Sequence, residues 1–175
     1  GLPTVGVHDL DGMPTTEDVH VVYGAYNFRL PAPEKAAARL FVIDYADARD
    51  VLKVDNRGLR ARQLDTENVH VTTAGGHALE RLGDTDLLAW GVVQLGDWGV
   101  LDHRAWAYAL EAGHQWPKRP WKPWLRAGLN RSSGDRNPGD GRHGTFFEVL
   151  PTPRIYARYP FFNPMNLNDA FVSLT

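Results

Sequence analysis

Residues 102–115, DHRAWAYALEAGHQ, decide the fold class of this chain. In an extended strand, successive side chains point to opposite faces. One face of this stretch carries mainly large and apolar side chains: Arg104, Trp106, Tyr108, Leu110 and Ala112. The other face carries small or polar ones: His103, Ala105, Ala107, Ala109, Glu111, Gly113 and Gln115. The alternation predicts a β-strand whose two faces differ chemically.

A helix is the alternative for the same stretch, because Ala, Leu and Glu are good helix formers. The close spacing of Tyr, Trp and Gly weakens that alternative, and the sequence PKRPWKP at 117–123 blocks an extension of the helix. We therefore predict a strand.

Alternating runs of the same kind recur along the chain. The candidate strands are 19–29, 38–48, 69–80, 86–97, 102–115, 123–133, 143–150 and 168–174. Most are longer than the five or six residues that are typical of globular strands, and their length suits a membrane barrel. The turn sequences Gly83-Asp84-Thr85 and Asp97-Trp98-Gly99 separate neighbouring runs. Runs joined so tightly should pair antiparallel, so the sequence predicts an all-β fold.

Two of these runs differ in how clearly their faces separate. In 123–133, Arg126 and Asn130 fall opposite a leucine-rich face and would point into the lumen of a barrel. In 86–97 both faces are apolar, which equally fits a strand buried inside a β-sandwich.

Composition excludes several classes of protein. The 175 residues include 19 Lys and Arg against 21 Asp and Glu, and a net charge of −2 argues against a nucleic-acid binder. Cysteine is absent. No window approaches the roughly 18 apolar residues of a membrane-spanning helix. A hydrophobic content of 43% fits a soluble protein and also an outer-membrane barrel, in which only every second strand residue faces lipid.

Tryptophan is concentrated near the ends of the predicted strands, at Trp98, Trp106, Trp116, Trp121 and Trp124. The indole ring favours a membrane–water interface, but the same residues could form a core or stack on carbohydrate. Residues 116–124 combine three Trp with Lys and Arg. This cluster could be an interfacial turn, a sugar-binding edge or a solvated turn.

Residues with catalytic or metal-binding chemistry are sparse. The seven His have no spacing typical of a metal site, and no nucleophile elbow or phosphate loop occurs. Two of the carboxylates Glu80, Asp86 and Glu111 could in principle form a glycosidase pair. The sequence does not show the distance between carboxyl groups that this mechanism requires. We therefore expect no enzyme activity, no catalytic residue, no metal and no cofactor.

Residues 141–171, GRHGTFFEVLPTPRIYARYPFFNPMNLNDAF, are rich in aromatic residues, Pro and Asn. This segment resembles the signature of the alginate-export family. The stretches at 87–99, 103–116 and 123–135 are similar to successive strands and turns of that family, and the likeness is strongest over 86–175. The resemblance implies one domain over 1–175 that is part of an antiparallel, up-and-down transmembrane β-barrel. About eight of roughly 18 strands would be present, so the chain is expected to be a fragment of a longer barrel.

The resemblance also implies function and location. The expected protein is a pore in the outer membrane of a Gram-negative bacterium that passes an anionic polysaccharide such as alginate, or another anionic solute. Its expected partners are outer-membrane lipid, the solute and periplasmic export components. No nucleic-acid partner is expected. The candidate pore residues are Arg126, Arg131, Arg142, Arg154 and Arg158. The Pro-rich segment 151–168 is expected to be a loop in or over the lumen. The alternative is a soluble carbohydrate-binding β-sandwich with a Trp stacking platform.

Overall fold

The computed structural model of the chain describes residues 2–3, 18–29, 36–149 and 165–175. The described residues form one β-sheet and one short helix. The strands are β1 Leu2–Pro3, β2 Val19–Arg29, β3 Ala36–Asp47, β4 Val69–Leu82, β5 Thr85–Trp98, β6 Leu101–Gln115, β7 Trp124–Ser132, β8 Arg142–His143 and β9 Asn168–Leu174. The helix is α1, Leu59–Gln63.

The sheet follows the order of the chain. Its strands are arranged β1-β2-β3-β4-β5-β6-β7-β9, and every neighbouring pair in this order is antiparallel. The short strand β8 lies off this path and pairs parallel with β6. The predicted all-β antiparallel fold is confirmed. Within the described residues the sheet is open, with β1 and β9 at its ends, and does not close on itself.

Two tight turns set the antiparallel pairing of the central strands. Gly83 and Asp84 join β4 to β5, and Gly99 and Val100 join β5 to β6. Gly83 has φ +59° and Gly99 has φ +62°, values that glycine adopts without steric cost. These turns align β4, β5 and β6 over nearly their whole length.

The two faces of the sheet differ as the alternation predicted. On the face that we call the covered face, loop residues pack against the strands and bury small or polar side chains, such as Ala105, Ala107 and His103. The opposite face, which we call the apolar face, leaves large hydrophobic side chains exposed. Its exposed members are Val22, Tyr26, Leu40, Val42, Leu82, Leu87, Val93, Leu95, Trp106, Leu110, Leu125, Val172 and Leu174.

The loop that covers the sheet is residues 133–149, and we call it the inner loop. A strand was predicted over 143–150, and this was wrong over 144–149. A strand would direct Phe146 and Phe147 to opposite faces, because successive side chains alternate. Instead both rings pack on the covered face, Phe146 against Val92 and Phe147 against Trp98. Burying both rings on one side requires irregular backbone.

The connection 48–68 between β3 and β4 contains α1, which the sequence did not predict. No helix among the described residues has the length and apolar content to cross a membrane. Most of the predicted lumen loop at 151–168 lies outside the described residues.

Candidate functional site

Three charged side chains meet on the covered face, and they come from three adjacent strands. Arg126 of β7 places Nη2 at 2.6 Å from Asp86 Oδ2 of β5 and Nη1 at 3.1 Å from Glu111 Oε2 of β6. Glu111 is buried, and Arg126 and Asp86 are partly exposed. With both carboxylates ionised, this cluster carries a net charge of −1. We call it the charge triad.

Glycine makes the charge triad possible. In the sheet register, Gly113 lies between Asp86 and Arg126, so no side chain on β6 separates them. A Cβ atom at Gly113 would approach Asp86 Oδ1 to 2.5 Å and Trp124 Nε1 to 2.8 Å, which no real Cβ contact allows. The guanidinium of Arg126 therefore reaches across β6, and it also lies 4.8 Å from the centre of the Trp124 ring.

The inner loop is attached to the sheet through Gln94 of β5. The Gln94 side chain is 1% exposed and donates from Nε2 to the carbonyl oxygen of Phe147 at 2.7 Å. The amide N–H of Phe147 donates back to Gln94 Oε1 at 2.9 Å. Nε2 also donates to Thr73 Oγ1 at 2.9 Å. One side chain thus satisfies both backbone groups of Phe147, which would otherwise be buried without partners.

A buried histidine pair forms the second attachment of the inner loop. His143 Nδ1 lies 2.9 Å from His103 Nδ1, and the His143 ring stacks on Trp98 at 4.4 Å between centroids. Burial lowers the pKa of His143, and the nearby carboxylates of Asp55 and Asp135 oppose this effect. The neutral form of His143 is therefore favoured while the loop is docked.

A buried ion network holds the connection 48–68 over the same end of the sheet. Asp65 Oδ2 accepts from Arg57 Nη2 at 2.7 Å, and Lys53 Nζ donates to the Asp65 carbonyl oxygen at 2.7 Å. Asp65 Oδ2 also accepts from the backbone N–H of Val100 at 3.3 Å, in the β5–β6 turn. The pKa of Arg57 is raised, chiefly by its hydrogen bond to Asp55. The long connection and the tight turn are thereby fixed to each other.

The structure places the predicted pore arginines in different surroundings. Arg126 lies on the covered face, within the charge triad. Arg131 lies on the apolar face, where its Nε donates to Asn168 Oδ1 at 3.0 Å. Arg142 is exposed in β8 and is in register with Asp102, on the side of the apolar face. Arg154 and Arg158 lie outside the described residues.

Sequence reasoning missed several residues of the covered face. Arg29 and Arg39 share this face by register, and Arg39 Nε donates to Asn27 Oδ1 at 2.6 Å. Strand parity alone could have found these two arginines. The Gln94 and His103 attachments could not have been found, because their partners lie more than thirty residues away in the inner loop.

The tryptophans divide between exposed and buried positions. Trp106 and Trp121 are exposed, as an interfacial ring requires. For Trp98 the sequence left an interface and a core position open, and the structure shows the core position, because its ring is buried among His103, His143 and Phe147. Parity puts Trp98 on the covered face, where the inner loop encloses it.

No group of three or more His, Cys, Asp or Glu side chains in the described part of the chain is arranged to hold a metal ion. Asp86 and Glu111, which the sequence left open as a carboxylate pair, are both bound to Arg126.

A family model described as alginate export matches residues 10–175. The chain belongs to the alginate-export family. The resemblance noted from the sequence is confirmed, and it extends further toward the N-terminus than the predicted range of strongest likeness. No curated protein and no solved structure matches the chain.

Members of the alginate-export family are outer-membrane export porins, so the predicted location and the transport class are confirmed. Family membership also explains the exposed hydrophobic side chains of the sheet. In an outer-membrane porin the lipid-facing side of each strand is apolar and the side facing the lumen is polar. The apolar face therefore has the character of a lipid-facing side, and the covered face has the character of a side that faces the lumen.

Proposed function

We propose that this sheet forms part of the wall of a closed outer-membrane barrel that conducts an anionic polysaccharide such as alginate, or another anionic solute. The observation that carries the proposal is the division of the sheet into an apolar face and a covered face. A soluble protein would have to bury the apolar face, whereas lipid stabilises it where it is.

The height of the apolar face supports this membrane placement. On β6 the apolar face carries no charge between Arg104 and His114. At about 3.3 Å per residue the intervening strand is roughly 33 Å long, and a tilt of about 40° reduces its height to roughly 25 Å. This matches the apolar band of outer-membrane barrels, which is about 25 Å tall.

Closure of the barrel follows from the cost of an open edge. Among the described strands, β9 has no partner on its outer edge. Each backbone N–H or C=O group left unpaired at such an edge costs several kcal/mol in hydrocarbon. Further strands that join β9 to the opposite edge would satisfy these groups. The proposed complete barrel has roughly 18 strands, which gives a lumen wide enough for an aqueous channel.

Selection of the solute is proposed to be electrostatic. Arg126 contributes little net positive charge, because two carboxylates neutralise it. Arg29 and Arg39 are better placed to attract an anion, because they lie on the covered face, and Arg154 and Arg158 are included in the proposal from the sequence. Guanidinium groups suit this task because they engage both oxygens of a carboxylate. Several weak contacts along the lumen would let the polymer enter and leave.

The alternative function, a soluble carbohydrate-binding sandwich, requires a second sheet packed on the apolar face. All described strands belong to one sheet, and no described segment packs on that face. The porin function is therefore the better supported of the two.

Bilayer electrophysiology of the full-length protein tests the proposed conduit. Under a KCl gradient, the reversal potential should show a preference for anions. A charge about 10 Å from the ion path in a water-like dielectric is worth roughly 0.4 kcal/mol, or about twofold in permeability. Arg29→Gln and Arg39→Gln should each reduce the anion preference by about this factor, because both arginines lie on the covered face.

Arg131→Gln is the matched control, because Arg131 lies on the apolar face. This variant should keep the native reversal potential. Cation preference in the native protein, or equal shifts in all three variants, would contradict electrostatic selection by the lumen arginines.

A further inference from the structure

A cleft lies at the end of the sheet that carries the β4–β5 turn and the 116–123 connection. Its volume is about 380 Å³, within the range of small-molecule sites. The residues that line it are Arg81, Asp84, Thr85, Asp86, Gln115 and Trp124. The lining thus combines one aromatic ring with hydrogen-bond donors and acceptors.

The aromatic ring of the cleft is held in position by its neighbours. The guanidinium of Arg126 lies over Trp124 at 4.8 Å from the ring centre. The backbone of Trp124 exchanges two hydrogen bonds with Thr175, of 2.8 and 3.0 Å. The absence of a side chain at Gly113 leaves space for both the Trp124 indole and the Asp86 carboxylate. The cleft is therefore formed before any ligand arrives, which reduces the entropic cost of binding.

The charges around the cleft do not favour an anion. Both terminal nitrogens of Arg126 already contact carboxylates. Arg81 is partly engaged, because its Nε donates to the carbonyl oxygen of Gly83 at 3.1 Å. Among the residues that line the cleft, the two carboxylates of Asp84 and Asp86 accompany the single guanidinium of Arg81, so the lining is net negative. Its chemistry suits hydroxyl groups, which both donate and accept hydrogen bonds.

We propose that this cleft is a sugar-binding subsite, in which a pyranose ring packs its apolar face on Trp124 and its hydroxyl groups hydrogen-bond to Asp86 and Gln115. The inference rests on the proposed conduit for a polysaccharide. In outer-membrane barrels the short connections face the periplasm. The connections at this end of the sheet, 83–84 and 116–123, have two and eight residues, whereas the 21-residue connection 48–68 lies at the other end. We therefore place the subsite at the periplasmic mouth, where an exported polymer enters.

The subsite recognises the sugar ring rather than its charge, and this distinguishes it from the lumen arginines. A neutral oligosaccharide should bind at least as well as an acidic one of equal length. Salt screens charge attraction but not ring stacking. Binding of the neutral oligosaccharide should therefore be insensitive to ionic strength.

Calorimetric titration of the full-length protein in detergent tests the subsite, with maltohexaose as the neutral probe and a mannuronate hexamer as the acidic one. Trp124→Ala should weaken the binding of maltohexaose about tenfold, the factor for roughly 1.4 kcal/mol of lost aromatic contact. Trp124→Phe keeps an aromatic face and should retain most of the affinity. Trp121→Ala is the control, because Trp121 is 99% exposed and does not line the cleft.

Two results would overturn the subsite. One is unchanged maltohexaose affinity in Trp124→Ala with the fold retained. The other is binding of the mannuronate hexamer alone, with loss of that binding at high salt.

The proposed subsite and the proposed conduit can be refuted independently of each other. A protein that binds maltohexaose through Trp124 but shows no bilayer conductance would refute the conduit and support the subsite. A conducting protein whose sugar-induced current block is the same in Trp124→Ala and native forms would refute the subsite alone.

Discussion

Replacement of Gln94 by Leu should release the inner loop from the sheet. Gln94 makes three short hydrogen bonds, two to the backbone of Phe147 and one to Thr73. Each is worth about 1 kcal/mol net, so the free energy of loop opening should fall by about 3 kcal/mol. Leu has a similar volume and fills the buried site without replacing these bonds. The opening equilibrium should shift about a hundredfold.

Native-state hydrogen exchange measures this shift directly. Exchange of the Phe147 amide, followed by mass spectrometry in detergent, should be about a hundredfold faster in Gln94→Leu. Amides of β5 and β6 report on the sheet itself and should keep their protection. Gln115→Leu replaces an exposed Gln at the other end of the sheet and is the matched control.

A change of less than about threefold at Phe147, with the strand amides still protected, would refute this reasoning. It would mean that the aromatic contacts of Phe146 and Phe147 alone hold the loop. Acceleration of every amide to the same extent would also contradict it, because the loop would then open only with global unfolding.

Docking of the inner loop should weaken as the pH falls below about 6.5. Burial lowers the pKa of His143 in the docked loop, so docking is fully stabilised above the ordinary histidine pKa and loses stability as protonation favours the open loop. Gly99→Ala should destabilise the protein by at least about 1 kcal/mol, because Gly99 has φ +62° and a Cβ there would collide with the Asp65 carboxylate; thermal unfolding in detergent measures this. Val93→Arg should cost roughly 1 to 2 kcal/mol in lipid, measured by equilibrium refolding into bilayers, since Val93 lies on the apolar face two residues inside the edge of the band.

Each of these three predictions has its own comparison. For the pH dependence of loop docking, the exchange rate of the loop amides in the native protein is divided by the rate in His143→Gln, which removes the intrinsic pH dependence of exchange. A ratio that stays constant from pH 7.5 to 5 would contradict this prediction. For Gly99→Ala the comparison is Gly58→Ala. A Cβ atom at Gly58 would meet open space and the φ of Gly58 is negative, so this substitution should leave the thermal stability nearly unchanged. Val54→Arg changes an exposed loop residue outside the sheet, and equal costs for Val54 and Val93 would show that the apolar face does not contact lipid.

The strands could be predicted from the sequence because the two faces of a half-buried strand differ in polarity, so apolar and polar residues alternate along it with a period of two. The bounds of β2 and β9 were predicted to the residue, and β6 begins one residue earlier than predicted. The same rule placed Arg126 on the polar face. It depends on side-chain alternation alone, so it needs no knowledge of distant contacts.

The rest could not be predicted because it depends on contacts between distant segments. Phe146 and Phe147 are adjacent in sequence and look like part of a strand, but the space above Val92 and Trp98 decides their conformation. Helix α1 has only five residues and no buried side chain, so it carries no periodic signal. The neutralisation of Arg126 depends on the register of three strands, which no single run encodes.

The charge triad also sets how easily the permeability of this protein could change during evolution. The Arg126 cation is already present on the covered face but is cancelled by its neighbours. Glu to Gln and Asp to Asn are each reachable by a single nucleotide change. Either substitution at Glu111 or Asp86 would bring the net charge of the triad from −1 to zero, and both together would unmask the positive charge. A lineage could therefore gain a positive site on the covered face in two mutational steps, without introducing any new basic residue.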